Sequence, residues 1–294
     1  MSNTLIGIYP PLITPFVDDE IAQEKLIENI MKYEFHMLAG YVLFGSNGEG
    51  TFLTREEKLN IVQTVREHTK RTIIAGTGLE SIRETITLSN EAAEKGANYA
   101  LIITPSFFKS EMKHRTFLNY YTKIAESVMI PIIIYNVPKF TNVNIEPETV
   151  IELSSHPNIA GLKDSTENPS RISEIAKNVH NEFKLIVGTA SVLYPGLISG
   201  ATAGILALAN VAPDQCYQIY NLIRERNFDR ALEIQNKMIP VNKAVTSKFG
   251  VAGLKAAMDL CGYFGGSPRL PLEPLNEAQQ IELKIILKNA SLIE

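Results

Sequence analysis

The sequence has few of the residues that build a metal centre or a disulfide framework. Among 294 residues there are two cysteines, Cys216 and Cys261, and five scattered histidines. Neither residue type occurs at the short spacing that is typical of a metal or redox motif. We therefore expect reduced thiols in a reducing compartment, and chemistry that requires no metal or organic cofactor.

An excess of basic charge and long apolar runs are also missing. The formal net charge is −4, from 28 basic and 32 acidic side chains, so no basic surface for nucleic acid or an anionic membrane is indicated. No apolar run approaches the roughly 20 residues needed to span a bilayer. The N-terminus has neither the basic start nor the apolar core of a signal peptide. These absences predict a soluble cytoplasmic protein.

Short apolar runs recur along the chain about every 30 residues, which is the size of one βαβ unit. Most of them are followed by a segment with helical periodicity. Their apolarity is continuous rather than alternating, as expected for parallel strands that are covered on both faces. The eight runs are residues 7–14, 41–44, 72–75, 99–104, 131–136, 159–163, 184–188 and 204–207.

The strand pattern ends at about Pro213, and helical segments follow. These segments are residues 215–224, 228–237, 251–258 and 277–288, with Asn227, Pro240 and residues 262–271 between them. The order predicts an α/β fold, a (β/α)8 TIM barrel over residues 1–212 with a C-terminal helical bundle over 213–294. An open doubly wound sheet is the alternative, disfavoured because no Gly-x-Gly-x-x-Gly turn follows the first strand. Residues 18–20, two aspartates and a glutamate, are interpreted as charges at the start of a helix.

Lys163 ends the apolar run 159–163, where a cation is unexpected. An amine at the exit of a buried strand loses solvation, which favours its neutral and nucleophilic form. In a barrel of this type, chemistry takes place where strands end and loops begin. We interpret Lys163 as a Schiff-base lysine. The alternative is a surface lysine that happens to follow a strand.

Two further features lie at predicted strand ends. Tyr135 closes the strand before that of Lys163, and neighbouring strands lie about 4.8 Å apart, so its phenol can exchange protons near the amine. The alternative is a tyrosine that only packs at the barrel rim. Residues 45–50 place Ser46 and Asn47 between glycines, a pattern that can form an anion-binding nest. A carboxylate suits this loop better than a phosphate, because the loop has no lysine. An ordinary glycine-rich turn is the alternative.

Four motifs occur together in order along the chain. They are Gly-Ser-Asn-Gly-Glu at 45–49, Tyr-Asn-Val-Pro at 135–138, Gly-Leu-Lys-Asp-Ser at 161–165 and Ala-Leu-Ala-Asn-Val at 207–211. Over nearly its whole length the chain resembles the dihydrodipicolinate synthase/N-acetylneuraminate lyase family of class I, pyruvate-dependent aldolases. The resemblance implies a Schiff base between pyruvate and Lys163, with Tyr135 as the proton shuttle. It further implies a homotetramer, and a pyruvate site formed by Ser46, Asn47, Gly188 and Ile205.

Within that family, the chain is most similar to the 4-hydroxy-2-oxoglutarate aldolases, in the Ser-Asn pair, the Lys-Asp-Ser motif and residues 244–266. This likeness implies reversible cleavage of a 4-hydroxy-2-oxo acid to pyruvate and an aldehyde, with Ser165 contacting the distal end of the substrate. The synthases carry an arginine where Phe140 stands and a tyrosine where Phe107 stands, and the aldolases usually keep that tyrosine. Phenylalanine can neither pair with a carboxylate nor relay a proton. We therefore expect an apolar acceptor end, with Phe108 beside Phe107.

Other functions stay open from the sequence. Dihydrodipicolinate synthesis, sialic acid cleavage and sugar-acid aldol or dehydratase chemistry use the same family scaffold with a different acceptor. A non-catalytic sensor of a keto acid is an alternative from another class of protein.

Overall fold

The structure, a computed structural model, describes residues 5–294. Eight parallel strands form one sheet in which each strand pairs with the next along the chain from β2 to β8, and β8 pairs with β1. The amide N–H of Ala39 donates to the carbonyl of Ile8 and that of Val42 donates to the carbonyl of Pro10, which closes the barrel. The strands are β1 Gly7–Tyr9, β2 Gly40–Leu43, β3 Thr72–Gly76, β4 Tyr99–Ile103, β5 Ile132–Asn136, β6 Ile159–Asp164, β7 Lys184–Val187 and β8 Ala203–Ile205. The predicted TIM barrel is confirmed.

Helices cover the outside of the barrel. Two of these helices begin with side-chain caps, since Thr54 and Glu57 form a reciprocal capping box and Asn168 accepts bonds from the backbone of the next helix. The helices that alternate with strands are α1 Gln23–Tyr33, α2 Arg55–His68, α3 Ile82–Glu94, α4 His114–Ala125, α5 Pro138–Thr141, α6 Pro147–Leu153, α7 Pro169–Asn178 and α8 Leu193–Ile198.

Four helices and one π turn form the C-terminal part. They are α9 Pro213–Arg224, α10 Phe228–Lys243, the π turn Ala244–Lys248, α11 Gly250–Leu260 and α12 Glu277–Asn289. The expectation that Pro240 separates two helices is wrong, because Pro240 lies inside α10. Proline has no N–H group, so the carbonyl of Asn236 loses its donor within the helix. Both residues are exposed, so water can bind that carbonyl instead. The division of the chain at residues 212 and 213 stays a prediction.

A short antiparallel hairpin, Phe16–Val17 with Glu20–Ile21, precedes α1. Its two turn residues, Asp18 and Asp19, have φ angles of 49° and 68°. A two-residue hairpin turn of this kind requires left-handed backbone, which aspartate tolerates well. The interpretation of these charges as a helix start is therefore wrong, and α1 begins at Gln23.

The barrel interior is filled by side chains and leaves no pore. Tyr135 and Ile205 belong to this interior cluster, together with Tyr9, Val42, Ile74, Leu101, Ile133 and Ile186. Two larger apolar clusters lie between the strands and the outer helices. Within residues 5–294, no helix is both long and apolar enough to cross a membrane.

Candidate active site

Lys163 and Tyr135 lie side by side at the carboxyl end of the barrel. They are direct partners in the register of β5 and β6. The Nζ atom of Lys163 lies 3.9 Å from the centroid of the Tyr135 ring, and only 3% of the lysine is exposed. Lys163 is therefore not a solvated surface lysine. This placement puts an amine and a phenol within reach of one bound substrate.

The carboxylate of Asp164, the residue after Lys163, is paired with a different side chain. Asp164 accepts a hydrogen bond of 2.7 Å from Nε of Arg171, and both side chains are buried. Asp164 also accepts the backbone N–H of Thr166 at 2.8 Å. Among the residues that the structure describes, Lys163 has no ion pair. No carboxylate is therefore paired with the amine in place of a substrate, as a lysine nucleophile requires.

The glycine-rich loop forms a 3-10 turn, Ser46–Gly48, beside the phenol. The Oγ atom of Ser46 lies 3.4 Å from the hydroxyl of Tyr135. Within the turn, the N–H groups of Gly48 and Glu49 donate to the carbonyls of Gly45 and Ser46. The N–H groups of Ser46 and Asn47 have no partner in residues 5–294, so they can bind an anion such as a carboxylate.

This loop contains strained backbone. Phe44 and Glu49 have φ angles of 60° and 55°, and each such non-glycine residue costs on the order of 1–3 kcal/mol. Position 50 requires glycine, because a Cβ atom there would lie 2.2 Å from the carbonyl oxygen of Phe44. Strain of this kind persists only when the surroundings enforce it.

A buried ion pair joins the glycine-rich loop to the C-terminal helices. Nζ of Lys255, on α11, lies 2.6 Å from Oε1 of Glu49, and both side chains are at most 1% exposed. Lys255 also donates to the carbonyl of Ser267 at 2.9 Å, and Glu49 accepts the N–H of Arg269 at 2.8 Å. Burial lowers the pKa of Lys255, and the carboxylate of Glu49 partly opposes that shift.

We predict that Glu49→Gln lowers the free energy of unfolding by about 3–5 kcal/mol, because it leaves a buried ammonium without its counter-charge. Glutamine still accepts the N–H of Arg269. The double variant Glu49→Gln/Lys255→Met removes both charges, and we expect it to recover most of the loss. Urea unfolding of the two variants measures the difference. Equal destabilisation by the single and double variants would contradict a role for the ion pair.

Three other residues singled out in the sequence lie around the next strand ends. A Cβ atom on Gly188 would lie 1.9 Å from Oγ of Ser165 and 2.9 Å from the carbonyl oxygen of Asp164, so only glycine allows this approach. Ile205 is fully buried at the end of β8. Ser165 lines a separate open cleft between α5 and α7, of about 770 Å³, with Thr166 and Arg171.

Tyr135 and Ser46 line a larger cavity of about 820 Å³ at the mouth of the barrel. Phe140 lines it too and is 59% exposed. Phe107 and Phe108 are exposed, pack edge to face on each other and are not part of the cavity wall. Most of the wall is apolar, as the sequence predicts, with side chains that include Phe44, Phe52, Leu53, Leu79, Ile103 and Phe249.

Sequence reasoning missed two lysines of this region. Lys58 lines the cavity, and Lys255 holds the glycine-rich loop. A signal for Lys58 was present, since it lies three, four and seven residues before the buried side chains of Ile61, Val62 and Val65 on α2. Lys255 likewise lies among apolar residues, three before the buried Met258 on α11, but its partner is about 200 residues away and is not visible in the sequence. Within residues 5–294, no cluster of metal-ligand type is present.

A lysine and a tyrosine at the carboxyl rim of a parallel barrel, next to a turn with unpaired N–H groups, form the arrangement that a class I, Schiff-base aldolase requires. A sequence profile of the Dihydrodipicolinate synthetase family matches residues 4–290. The chain belongs to this family.

Curated relatives and solved structures give the same result. A 4-hydroxy-tetrahydrodipicolinate synthase from Archaeoglobus fulgidus is 34% identical over 288 residues, which cover 98% of this chain and 99% of that protein. A dihydrodipicolinate synthase structure from Thermotoga maritima superimposes with a TM-score of 0.94 at 25% identity, covering 99% of this chain and all of that one. A synthase from Acinetobacter baumannii, solved in complex with pyruvate, has a TM-score of 0.94 at 27% identity and the same coverage.

Proposed function

We propose that the protein is a pyruvate-dependent aldolase that cleaves a 4-hydroxy-2-oxo acid reversibly to pyruvate and an aldehyde, and that Lys163 forms the Schiff base. The observation that supports this most strongly is the position of Lys163, a residue only 3% exposed whose Nζ atom lies 3.9 Å from the centroid of the Tyr135 ring. The proposal includes a homotetramer in the cytoplasm, as the family likeness implies.

In the proposed reaction, neutral Lys163 attacks the 2-oxo carbon and water leaves, which gives an iminium. The 4-hydroxyl group then loses its proton, and the bond between C3 and C4 breaks. The aldehyde departs, and the bonding electrons pass to the iminium as an enamine. Protonation at C3 and hydrolysis release pyruvate and restore the amine. Tyr135 carries the protons in these steps.

The substrate carboxylate is proposed to bind at the glycine-rich turn. Oγ of Ser46 and the free N–H groups of Ser46 and Asn47 are available to bind it, and Oγ of Ser46 lies 3.4 Å from the hydroxyl of Tyr135. Binding the carboxylate in this turn places the neighbouring ketone against the amine, which replaces a bimolecular encounter by a fixed geometry. Gly188 and Ile205 are proposed to complete the pyruvate site. Ser165 is proposed to act at the distal end of the substrate, because its Oγ packs against Gly188 although the residue also lines the neighbouring cleft.

Dihydrodipicolinate synthesis is the second candidate, favoured by the names of the relatives. In that reaction the enamine adds to an aldehyde instead of arising by cleavage. Two positions disfavour it, because Phe140 cannot pair with a carboxylate and Phe107 cannot relay a proton. The acceptor, rather than the Schiff base, distinguishes the two candidates.

A panel of substrates separates them. We expect pyruvate release from 4-hydroxy-2-oxoglutarate with a kcat/KM at least about tenfold above that for pyruvate consumption with aspartate semialdehyde. Ten-fold corresponds to about 1.4 kcal/mol of transition-state discrimination. If aspartate semialdehyde alone drives turnover, the synthase reading replaces the cleavage reading.

A further inference from the structure

Two residues of the sequence motifs have no role in the reaction described above. Asn136 follows Tyr135 in the Tyr-Asn-Val-Pro motif, and Asp164 follows Lys163 in the Gly-Leu-Lys-Asp-Ser motif. Asn136 and Asp164 pair in the register of β5 and β6, one step beyond the tyrosine and the lysine. Successive side chains of a strand point to opposite faces, so these two face the outer helices, whereas the phenol belongs to the barrel interior.

The side chains of Asn136 and Asp164 belong to one buried polar network. Oδ1 of Asn136 accepts the backbone N–H of Ile145 at 3.2 Å, and its amide donates to Oδ2 of Asp164 at 3.4 Å. Arg171, in the first turn of α7, donates through Nε to the same carboxylate oxygen at 2.7 Å and through Nη2 to the carbonyl of Ile145. Each of the three polar residues is at most 6% exposed. Arg171 therefore ties the ends of both strands to a helix.

The pairing of β5 with β6 is irregular near the opposite end of the two strands. The partners of Ile132 and Ile133 on β6 are two residues apart, so Ala160 between them is left unpaired. A bulge of this kind disrupts the ladder locally. A slip of the pairing by one residue would turn the reactive amine to the other face of the sheet, away from the phenol. Contacts that fix the register at the carboxyl end therefore bear directly on the site.

We propose that Arg171 is a positioning residue that fixes the register of β5 and β6 at their carboxyl ends. It acts through Asp164 and Asn136, and so holds the amine against the phenol. The inference rests on the proposed function and concerns the geometry of that same site. A buried ion pair adds little net stability compared with apolar side chains of similar volume, and its best-attested use is to fix a register.

The test measures how fast the Schiff base with pyruvate forms, by rapid-quench borohydride trapping. We expect Arg171→Met to lower the rate at saturating pyruvate by about 10- to 100-fold, because a displacement of about 1 Å at reacting groups can cost that much. The pyruvate concentration that gives half of the maximal rate should stay within about twofold of wild type. The turn that is proposed to bind the carboxylate follows β2, outside the network.

A double variant separates positioning from stability. Arg171→Met alone leaves the buried carboxylate of Asp164 without its partner, so we expect its Tm to fall. Asp164→Leu/Arg171→Met removes both charges, and we expect most of the lost Tm to return while trapping stays at least about tenfold slower than in wild type. Arg171→Lys keeps a cation beside the carboxylate, and we expect it to recover part of the trapping rate.

Two further variants test whether the effect passes through the phenol. Tyr135→Phe removes the hydroxyl that the amine is held against, so adding Arg171→Met should slow trapping by less than about threefold more. Arg71→Met is the matched control, because Arg71 pairs with Glu34 and donates to three backbone carbonyls that precede β2. We expect this control to lower the Tm and to keep the trapping rate within about twofold of wild type.

The possible outcomes are distinguishable. A wild-type trapping rate in Arg171→Met would overturn the role of Arg171, as would recovery of the rate together with the Tm in the double variant. The same loss from Arg171→Met in the Tyr135→Phe background, or an equal loss in Arg71→Met, would also overturn it. Failure of pyruvate to be trapped on wild-type protein would instead remove the proposed function.

Discussion

Lys163→Ala is expected to lower turnover by on the order of 10⁴-fold or more, because no other group can form the covalent iminium that accepts the electrons of the broken bond. Nearby lysines do not replace it. Lys163 is the side chain whose Nζ atom lies against Tyr135, at 3.9 Å from the ring centroid. Steady-state assays of pyruvate release with 4-hydroxy-2-oxoglutarate measure the effect.

Two variants separate the loss of the amine from damage to the fold. Lys163→Met keeps most of the buried volume, and we expect it to be as inactive as Lys163→Ala with a Tm close to wild type. Lys123→Ala removes an exposed lysine from the last turn of α4, and we expect unchanged turnover. Substantial activity in Lys163→Met would contradict the assigned role.

Tyr135→Phe is expected to lower kcat by about 10²- to 10⁴-fold, the usual contribution of a positioned acid or base. The variant keeps the ring that packs against Lys163 and removes only the hydroxyl, which lies 3.4 Å from Oγ of Ser46. We expect the Schiff base with pyruvate still to form, but slowly. Rapid-quench borohydride trapping measures that rate, and steady-state assays measure kcat.

Tyr121→Phe is the control for loss of a buried phenol. Tyr121 lies on α4 and donates its hydroxyl to the carbonyl of Ile102 at 3.3 Å. We expect this variant to lose some stability, about 1 kcal/mol for one buried hydrogen bond, and to keep its turnover within about twofold. If Tyr135→Phe behaves in the same way, the phenol of Tyr135 has a packing role only.

The barrel could be predicted from the sequence because continuous apolar runs and capping signals are local. Each of the eight predicted runs overlaps a strand, and Thr54 and Asn168 cap the helices that follow them. Lys163 and Tyr135 stood out for the same reason, because a polar residue at the end of an apolar run is visible in a short window. Strand pairing then brings them together.

Features that depend on distant parts of the chain could not be predicted. The pairing of Glu49 with Lys255 requires α11 to pack on the glycine-rich loop. α10 continues through Pro240 because the carbonyl that loses its donor faces water, which the sequence does not show. The hairpin turn at Asp18 forms because the flanking strands pair and hold its backbone in the left-handed conformation. The position of Lys58 at the cavity wall depends both on the face of α2 that it occupies and on the shape of the barrel mouth.

The most direct test of the central claim is borohydride reduction of wild-type protein in the presence of pyruvate, followed by peptide mass mapping. The account predicts one reduced pyruvate adduct per chain, on Lys163, and none in Lys163→Met. An adduct on another lysine, or no adduct at saturating pyruvate, would contradict it.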